Sequence, residues 1–516
     1  PSWAWIEEVT LYIVTRMFIE ILLCLVLILV ILYKIYTWNY DYWEKKGIPY
    51  LKPEFPFGNL KDVILMRKTI GQAYTEMYWK FENEPFFGFF KLRNPILMLR
   101  DPELFQEVLV RQFSSFDSND YYVEPEADPI LGLNPFNCRG ERWKQARGLI
   151  TPCLTGLKIK GMLPQIMQIA KEMISYLKEN EGEFIQTYDL AGKYTTDVVS
   201  GCAYGLRSNS FKDPNSEFRQ MSAGLFSGSF KGNAAVLFSF YAPKLGSLLK
   251  WKILSEEATE YFERIIKEAA DYRIKNNIQI DDLLQALINA NLKSQETHNK
   301  PAYSYREMAG HCMTFSLDGF ETGALLISFM MYELSMNEKV QSKLRKEILN
   351  KVNKIDEIDY ETIHSIDYLN WSINECLRKH SPGTMLVKKC NKEAVLESNG
   401  KKVVVEPGVS AVIPLLTMMN DPSNFPEPEK FIPERFDGTR NHHPYSHIPF
   451  SGGPRSCPGR QFALTMVNLA IISIVANFKI VPKDLSLTKI EEDPMFTFFH
   501  HSKEPIFVSF EKLYFD

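Results

Sequence analysis

Phe450-Ser451-Gly452-Gly453-Pro454-Arg455-Ser456-Cys457-Pro458-Gly459 is the stretch on which the reading of this chain turns. Its glycines let the backbone come close to something flat or bulky. Arg455 sets a permanent positive charge two residues before Cys457. An apolar helix is expected from about Gln461 to Asn477, so the thiol lies just ahead of a helix start. Free N–H groups and the helix dipole favour a thiolate there. Such a loop suits a metal ligand or a nucleophile. A cysteine-dependent phosphatase would need an Arg soon after the Cys in a phosphate-cradling turn, and Arg460 does not match that pattern. A cysteine protease would need a His partner, for which His447 is a candidate. A buried structural Cys leaves the glycines and Arg455 unexplained.

Upstream, residues 420–456 are dense in Pro, Gly, Asn and Asp and read as loop. Val403 to Ile413 is strand-like and broken by the turn Glu406-Pro407-Gly408. Most of 60–390 alternates apolar and charged residues at helical spacing, as in Ile166 to Tyr176, Glu257 to Ile274 and Lys339 to Val352. Ser304-Tyr305-Arg306-Glu307 has the form of a capping box, opening a long helix through His311, Asp318 and Thr322 towards Met336. The expected fold is mainly α with a minor β-sheet region, and a long ordered loop delivers Cys457 to a helix start.

The cysteine stretch resembles the haem-binding signature of the cytochrome P-450 family, F-x-x-G-x-R-x-C-x-G, with Phe450, Gly453, Arg455, Cys457 and Gly459 at its fixed positions. Ser451 and Pro458 stand where glycine and an aliphatic residue are commoner. Glu375 and Arg378 resemble the family's E-x-x-R pair, and Pro433-Glu434-Arg435-Phe436 its P-E-R-F segment. Trp143 and Arg147 resemble its W-x-x-x-R. The resemblance spans the chain and points to the insect microsomal detoxification branch. It implies haem b with the Cys457 thiolate as axial ligand, which favours O–O cleavage by pushing electron density through the iron. It implies a structural triad of Glu375, Arg378 and Arg435 holding the cysteine loop. It places Trp143 and Arg147 at one haem propionate and Arg455 at the other, where Arg offers a charge-assisted fork. Lys388 stands where the family often has Arg, keeping the charge and losing the bidentate geometry.

Asp318-Gly319-Phe320-Glu321-Thr322-Gly323 resembles the family's (A/G)-G-x-(D/E)-T-(T/S). On that resemblance Gly319 leaves room for dioxygen, Thr322 supplies a hydroxyl donor and Glu321 relays protons. These polar residues and glycines cost stability inside an otherwise apolar helix, which argues for a function. Asp318 replaces a small residue and Gly323 a hydroxyl residue. Asp318 would either alter oxygen access or point away, and Gly323 would loosen the helix.

Ile21 to Tyr33 carries no charge, and apolar flanks extend it to about Val9. Arg16 and Glu20, four apart, can pair on a helix. A Tyr/Trp-rich segment follows, with no A-x-A-like cleavage site, so an uncleaved transmembrane anchor is expected. Lys34, Lys45, Lys46 and Lys52 lie after the span and place the body in the cytosol, and the resemblance to the microsomal branch implies the endoplasmic reticulum membrane. The expected organisation is an anchor with its interfacial segment at 1–45, a proline-containing hinge at 46–60 and a catalytic body at 61–516. The chain begins with Pro1, so the natural start is expected to lie further upstream.

Eight scattered cysteines without a C-x-x-C pair indicate neither a disulfide framework nor a zinc site. A net charge of −4 without a long basic block gives no nucleic-acid partner. No G-x-G-x-x-G follows a strand, so electrons must come from a partner. By resemblance these are NADPH-cytochrome P-450 reductase and, as a second donor, cytochrome b5, with Arg142, Lys144 and Arg460 as candidate docking points. Phe116, Tyr121, Tyr122, Phe230, Phe238, Phe240, Phe496, Phe498 and Phe499 are expected around a pocket for lipophilic substrates. Two rival readings stay open: a haem-thiolate isomerase or dehydratase that needs no reductase, and a non-catalytic haem or ligand-binding protein.

Overall fold

Phe86–Lys91 (β1) and Asn94–Leu99 (β2) form an antiparallel hairpin, with Phe86 opposite Leu99 and Lys91 opposite Asn94. Ser118–Asn119 (β3), Leu386–Lys389 (β4) and Ser410–Ile413 (β5) complete a sheet of order β1-β2-β5-β4-β3. Only β2 and β5 run parallel. Both faces are covered. Phe86, Phe90, Leu97 and Leu99 enter one apolar cluster, while Phe87, Phe89, Ile96 and Met98 enter another. Alternate side chains point to opposite faces, so burial on both sides demands an unbroken apolar run. The structure, a computed structural model, describes residues 2–213, 215–224, 230–280, 282–352, 358–439 and 442–513.

Eight helices position the site: Ser2–Thr37 (α1), Gly140–Ile150 (α2), Gly156–Glu179 (α3), Thr187–Tyr204 (α4), Tyr305–Phe315 (α5), Glu321–Met336 (α6), Asp367–Lys379 (α7) and Arg460–Asn477 (α8). The Ser304 hydroxyl accepts from the Glu307 N–H at 3.2 Å and the Glu307 carboxylate from the Ser304 N–H at 2.8 Å, forming the expected capping box. The expected single long helix is interrupted: Ser316–Phe320 is a π-helical turn between α5 and α6. One inserted residue there leaves the apolar periodicity almost intact, which hides the turn from a reading of spacing. Helix α6 is buried on nearly all sides. Its Leu325, Phe329 and Met330 share a cluster with Tyr194 and Val198 of α4 and with Phe462 and Met466 of α8. Helix α8 starts three residues after Cys457, so this packing brings the cysteine loop against the helix that carries Gly319 and Thr322.

Helix α1 is longer than the expected 9–33, and within Trp5–Thr37 an 18-residue apolar window has mean hydropathy 2.8 and is not buried at all. At about 1.5 Å per residue the helix exceeds the roughly 30 Å of a bilayer's hydrocarbon core. Helix α8 is also long and apolar enough, but 67% of its window is buried in the body, which makes it a core helix. Arg16 and Glu20 do pair, at 2.9 Å. The expected hinge 46–60 does not stand free. The Leu51 N–H donates to the Gly88 carbonyl at 3.0 Å, and the Gly88 N–H to the Pro49 carbonyl at 2.8 Å. Trp43 is fully buried over Gly88, where a Cβ would lie 2.3 Å from the indole. The packed body therefore begins near Trp43 rather than at 61.

Candidate active site

A cavity of about 1190 Å³ lies between the α5–α6 segment and the cysteine loop. Cys457, Phe450 and Gly459 line it from the loop, Gly319 and Thr322 from the helix, Trp143 and Arg147 from α2, and Lys388 from β4. Arg455 joins them at the edge. Nine expected site residues thus share one wall system, although they come from four separate parts of the chain.

The Cys457 N–H donates to the Phe450 carbonyl at 2.9 Å, closing the loop. Gly453 has φ +67°, and a Cβ there would sit 2.0 Å from the Leu109 carbonyl oxygen, so the loop is pressed onto the turn Glu107–Arg111. Burial pushes the Cys457 thiol up to about 11, although the N–H groups of Gly459 and Arg460 and the charge of Arg147 pull the other way. The expected role of Arg455 as the positive charge favouring a thiolate needs correction. Its Nε donates to the Asp117 carbonyl, its Nη1 to that of Pro135 at 3.2 Å and its Nη2 to that of Cys138 at 3.0 Å. The guanidinium also lies 4.4 Å over the Trp143 ring. A metal cation bound in the cavity would favour the thiolate.

His447 is excluded as a nucleophile's base. It is buried with Nε2 3.1 Å from the Asn374 carbonyl oxygen, and it does not line the cavity. Burial brings its pKa down to about 3.

Ser451 sits in the left-handed region, with φ +61°, and its hydroxyl is buried without a hydrogen-bond partner among the described residues. A left-handed non-glycine residue costs about 1–2 kcal/mol, and glycine's extra freedom returns about 0.5–1. Removing the orphaned hydroxyl adds to the gain. Ser451→Gly should stabilise the protein by about 1 kcal/mol, read as a higher denaturation midpoint. An unchanged or lower midpoint would show that no strain is stored there.

The oxygen-side helix departs from expectation at Glu321. Thr322 and Gly319 face the cavity, and the Thr322 hydroxyl donates to the Asp318 carbonyl at 2.6 Å. Glu321 is fully buried away from it, accepting from the Tyr188 hydroxyl at 2.8 and 3.0 Å and paired with His501. Asp318 does not point away: it lines the cavity. Gly323 is not a loosened spot. A Cβ there would lie 2.5 Å from the Met466 methyl and 3.3 Å from Thr195, so the methionine fills the space a larger residue would take.

The structural triad lies behind the loop rather than in the cavity. Arg378 Nε meets Glu375 Oε2 at 2.8 Å and Arg435 Nε meets Glu375 Oε1 at 3.1 Å, with all three side chains buried. Of the expected pocket aromatics, Tyr121, Phe240, Phe496, Phe498 and Phe499 line the cavity. Phe116 packs instead in the sheet cluster, Tyr122 under Arg139, and Phe238 against Trp251. The Phe230 side chain lies outside the described residues. Asn134, Asn119 and Trp251 line the cavity unforeseen. Isolated amides and a lone Trp carry no spacing signal, and only folding gathers them.

The cavity fits a flat dianionic cofactor with a metal at its centre. Lys388 is buried, its Nζ donating to Asn119 Oδ1 at 2.8 Å, and no carboxylate among the described residues pairs with it. Burial, with the neighbouring Arg455, brings its pKa down to about 7. Burial also lowers Arg455 to about 10 and lowers Arg147. Among the described residues no carboxylate forms an ion pair with any of these three cations, and the thiol faces the same cavity. A haem offers two carboxylates to the first and iron to the second.

Comparison with known proteins agrees. The sequence profile of the family "Cytochrome P450" matches residues 49–508. The chain is 32% identical over 490 residues to Cytochrome P450 9e2 of Blattella germanica, covering 88% of this chain and 91% of that protein. It is 31% identical over 485 residues to Cytochrome P450 6k1 of the same organism, covering 90% and 91%. It is 31% identical over 478 residues to Probable cytochrome P450 9f2 of Drosophila melanogaster, covering 88% and 93%. With its cysteine loop, its hydroxyl-bearing helix and its unpaired cations around one cavity, the chain belongs to the cytochrome P450 family of haem-thiolate monooxygenases and is similar to insect members of it.

Proposed function

We propose that this enzyme inserts one oxygen atom of O2 into apolar small molecules, either xenobiotics or endogenous lipophiles such as hormones or fatty acids. Electrons come from NADPH through a separate membrane reductase, with cytochrome b5 as a second donor. The observation that carries the reading is the Cys457 thiol and the Thr322 hydroxyl on two walls of one cavity otherwise lined by residues such as Leu326, Val387, Phe496 and Phe498.

Haem b would be held by Cys457 at its iron and by Trp143, Arg147, Arg455 and Lys388 at its carboxylates, with Phe450 and Gly459 lining the same cavity. When bound, the haem-thiolate supplies the oxygen and one-electron chemistry. Gly319 lines the site with backbone, and a Cβ there would meet Val199 of α4 at 3.3 Å, so the glycine also lets the turn pack close to α4. Thr322 presents its hydroxyl to the site; the proton points at the Asp318 carbonyl and is freed for delivery by rotation of the hydroxyl. Glu321 acts through position: its contacts with Tyr188 and His501 tie α6 to α4 and to the 494–501 segment. Apolar walls exclude water from the reacting carbon.

Helix α1 anchors the body to the endoplasmic reticulum membrane, and the lysines after it face the cytosol. The docking cations Arg142, Lys144 and Arg460 are all exposed; Arg142 and Lys144 pair with Glu126 and Glu141, and Arg460 lies over the Phe450 ring.

Full-length enzyme with reductase and NADPH should oxidise neutral apolar probes, with no product when either is omitted. Turnover of peroxides without reductase would favour the isomerase reading instead. Thr322→Ala should cut product per NADPH by at least about tenfold and release the difference as hydrogen peroxide, since a positioned proton donor contributes about 10²–10⁴. Unchanged coupling would remove Thr322 from its role.

A further inference from the structure

Asp318 is the feature the family resemblance does not absorb. Its side chain is exposed to the cavity while lying deep in the fold, on the π-helical turn one helical step before Thr322. Asn134 Nδ2 donates to its two oxygens at 3.2 and 3.4 Å. The amide is oriented for this, because Asn134 Oδ1 accepts from the Phe136 N–H at 2.7 Å. No cation among the described residues pairs with Asp318. Of the cavity's inner cations, Lys388 is committed to Asn119 and Arg455 to three carbonyls, and Arg147 neither bonds Asp318 nor shifts its carboxyl. At the rim, Lys252 pairs with Glu256. A carboxylate facing apolar walls with one neutral donor is costly, and a ligand bringing a positive charge would offset that cost.

We propose that Asp318, held by Asn134, is a specificity residue that selects lipophilic ligands carrying a cationic group, such as a protonated amine. This rests on the reading of the cavity as a site for lipophiles. Burial raises the Asp318 carboxyl to about 6, so it is ionised at pH 8.

The test uses the haem-loaded full chain in phospholipid nanodiscs at pH 8. The probes are a phenylalkyl-trimethylammonium ion and its tert-butyl isostere, which share a shape and differ by one charge. The quaternary nitrogen cannot ligate iron. Dissociation constants come from calorimetry, and the ratio neutral to cationic is compared between variants, so that membrane partitioning cancels. Asp318→Asn should lower that ratio by at least about tenfold while the neutral probe's constant moves less than about twofold. Asp318→Glu, which keeps the charge, should retain most of the preference. A ratio unchanged in Asp318→Asn, with the neutral probe still binding, would overturn this inference and leave the monooxygenase reading standing. Failure of both probes to bind the loaded wild type would overturn both.

Discussion

Glu375→Gln should cost the folded protein about 3–5 kcal/mol, because it removes the buried carboxylate that Arg378 and Arg435 share. Glu375 Oε1 accepts from Arg378 Nη2 at 3.0 Å, from Arg435 Nε at 3.1 Å and from the Ile432 N–H at 3.0 Å. The two arginines reach onward to the Met419 and Pro428 carbonyls at 3.1 and 2.8 Å, and to the Glu427 carbonyl at 2.6 Å. One carboxylate therefore bridges two buried guanidiniums, and through them the start of the long loop that ends at Cys457. An amide of the same shape keeps one acceptor, gains a donor facing two donors, and removes the negative charge from between the guanidiniums. Against this, Glu217→Gln breaks the pair with Arg264, whose side chains are 53% and 60% exposed, and should cost no more than about 1 kcal/mol. Denaturation midpoints of the two variants test the contrast directly. Proteolysis across 421–456 supplies a second reading, since the loop should become cleavable in Glu375→Gln alone. Equal midpoints would mean that the carbonyls satisfy the arginines unaided.

What could be read from the sequence was local. The cysteine loop, the Glu375/Arg378 spacing and the Ser304/Glu307 box each fit within one turn of chain, and their geometry follows from φ, ψ and side-chain reach. What could not be read was set by distant partners. Glu321 turns from the cavity because His501, 180 residues on, meets its carboxylate. Arg455 turns from the thiol because the carbonyls of Asp117, Pro135 and Cys138 converge on it. The hinge is pinned because Trp43 finds a glycine at 88 to cover. The glycine at 323 makes sense only beside Met466 on another helix. Aromatic residues were the least legible class. Phe116 and Phe496 are alike in sequence terms, and only burial against the sheet or against the cavity separates them.

Cys457→Ala should abolish the red-shifted Soret band of the reduced, carbon-monoxide-bound protein and bring turnover below detection. Among the described residues lining the cavity there is no second cysteine and no histidine, so nothing of comparable strength stands ready at the axial position. The haem would keep its apolar walls and its three cations but lose the ligand that pushes electron density through the iron. Loss of the band could also follow from collapse of the loop, so a second substitution is needed. Cys457→His keeps a ligand of different chemistry at the same place. It should bind haem with an ordinary, unshifted band and without oxygenation, while the denaturation midpoint stays near that of the wild type. The pair of variants separates ligation from folding. If alanine retained the wild-type spectrum, the thiol would not be the ligand. If histidine lost haem altogether, the loop would tolerate no nitrogen donor, and the close approach enforced by Gly453 against Leu109 would be the reason.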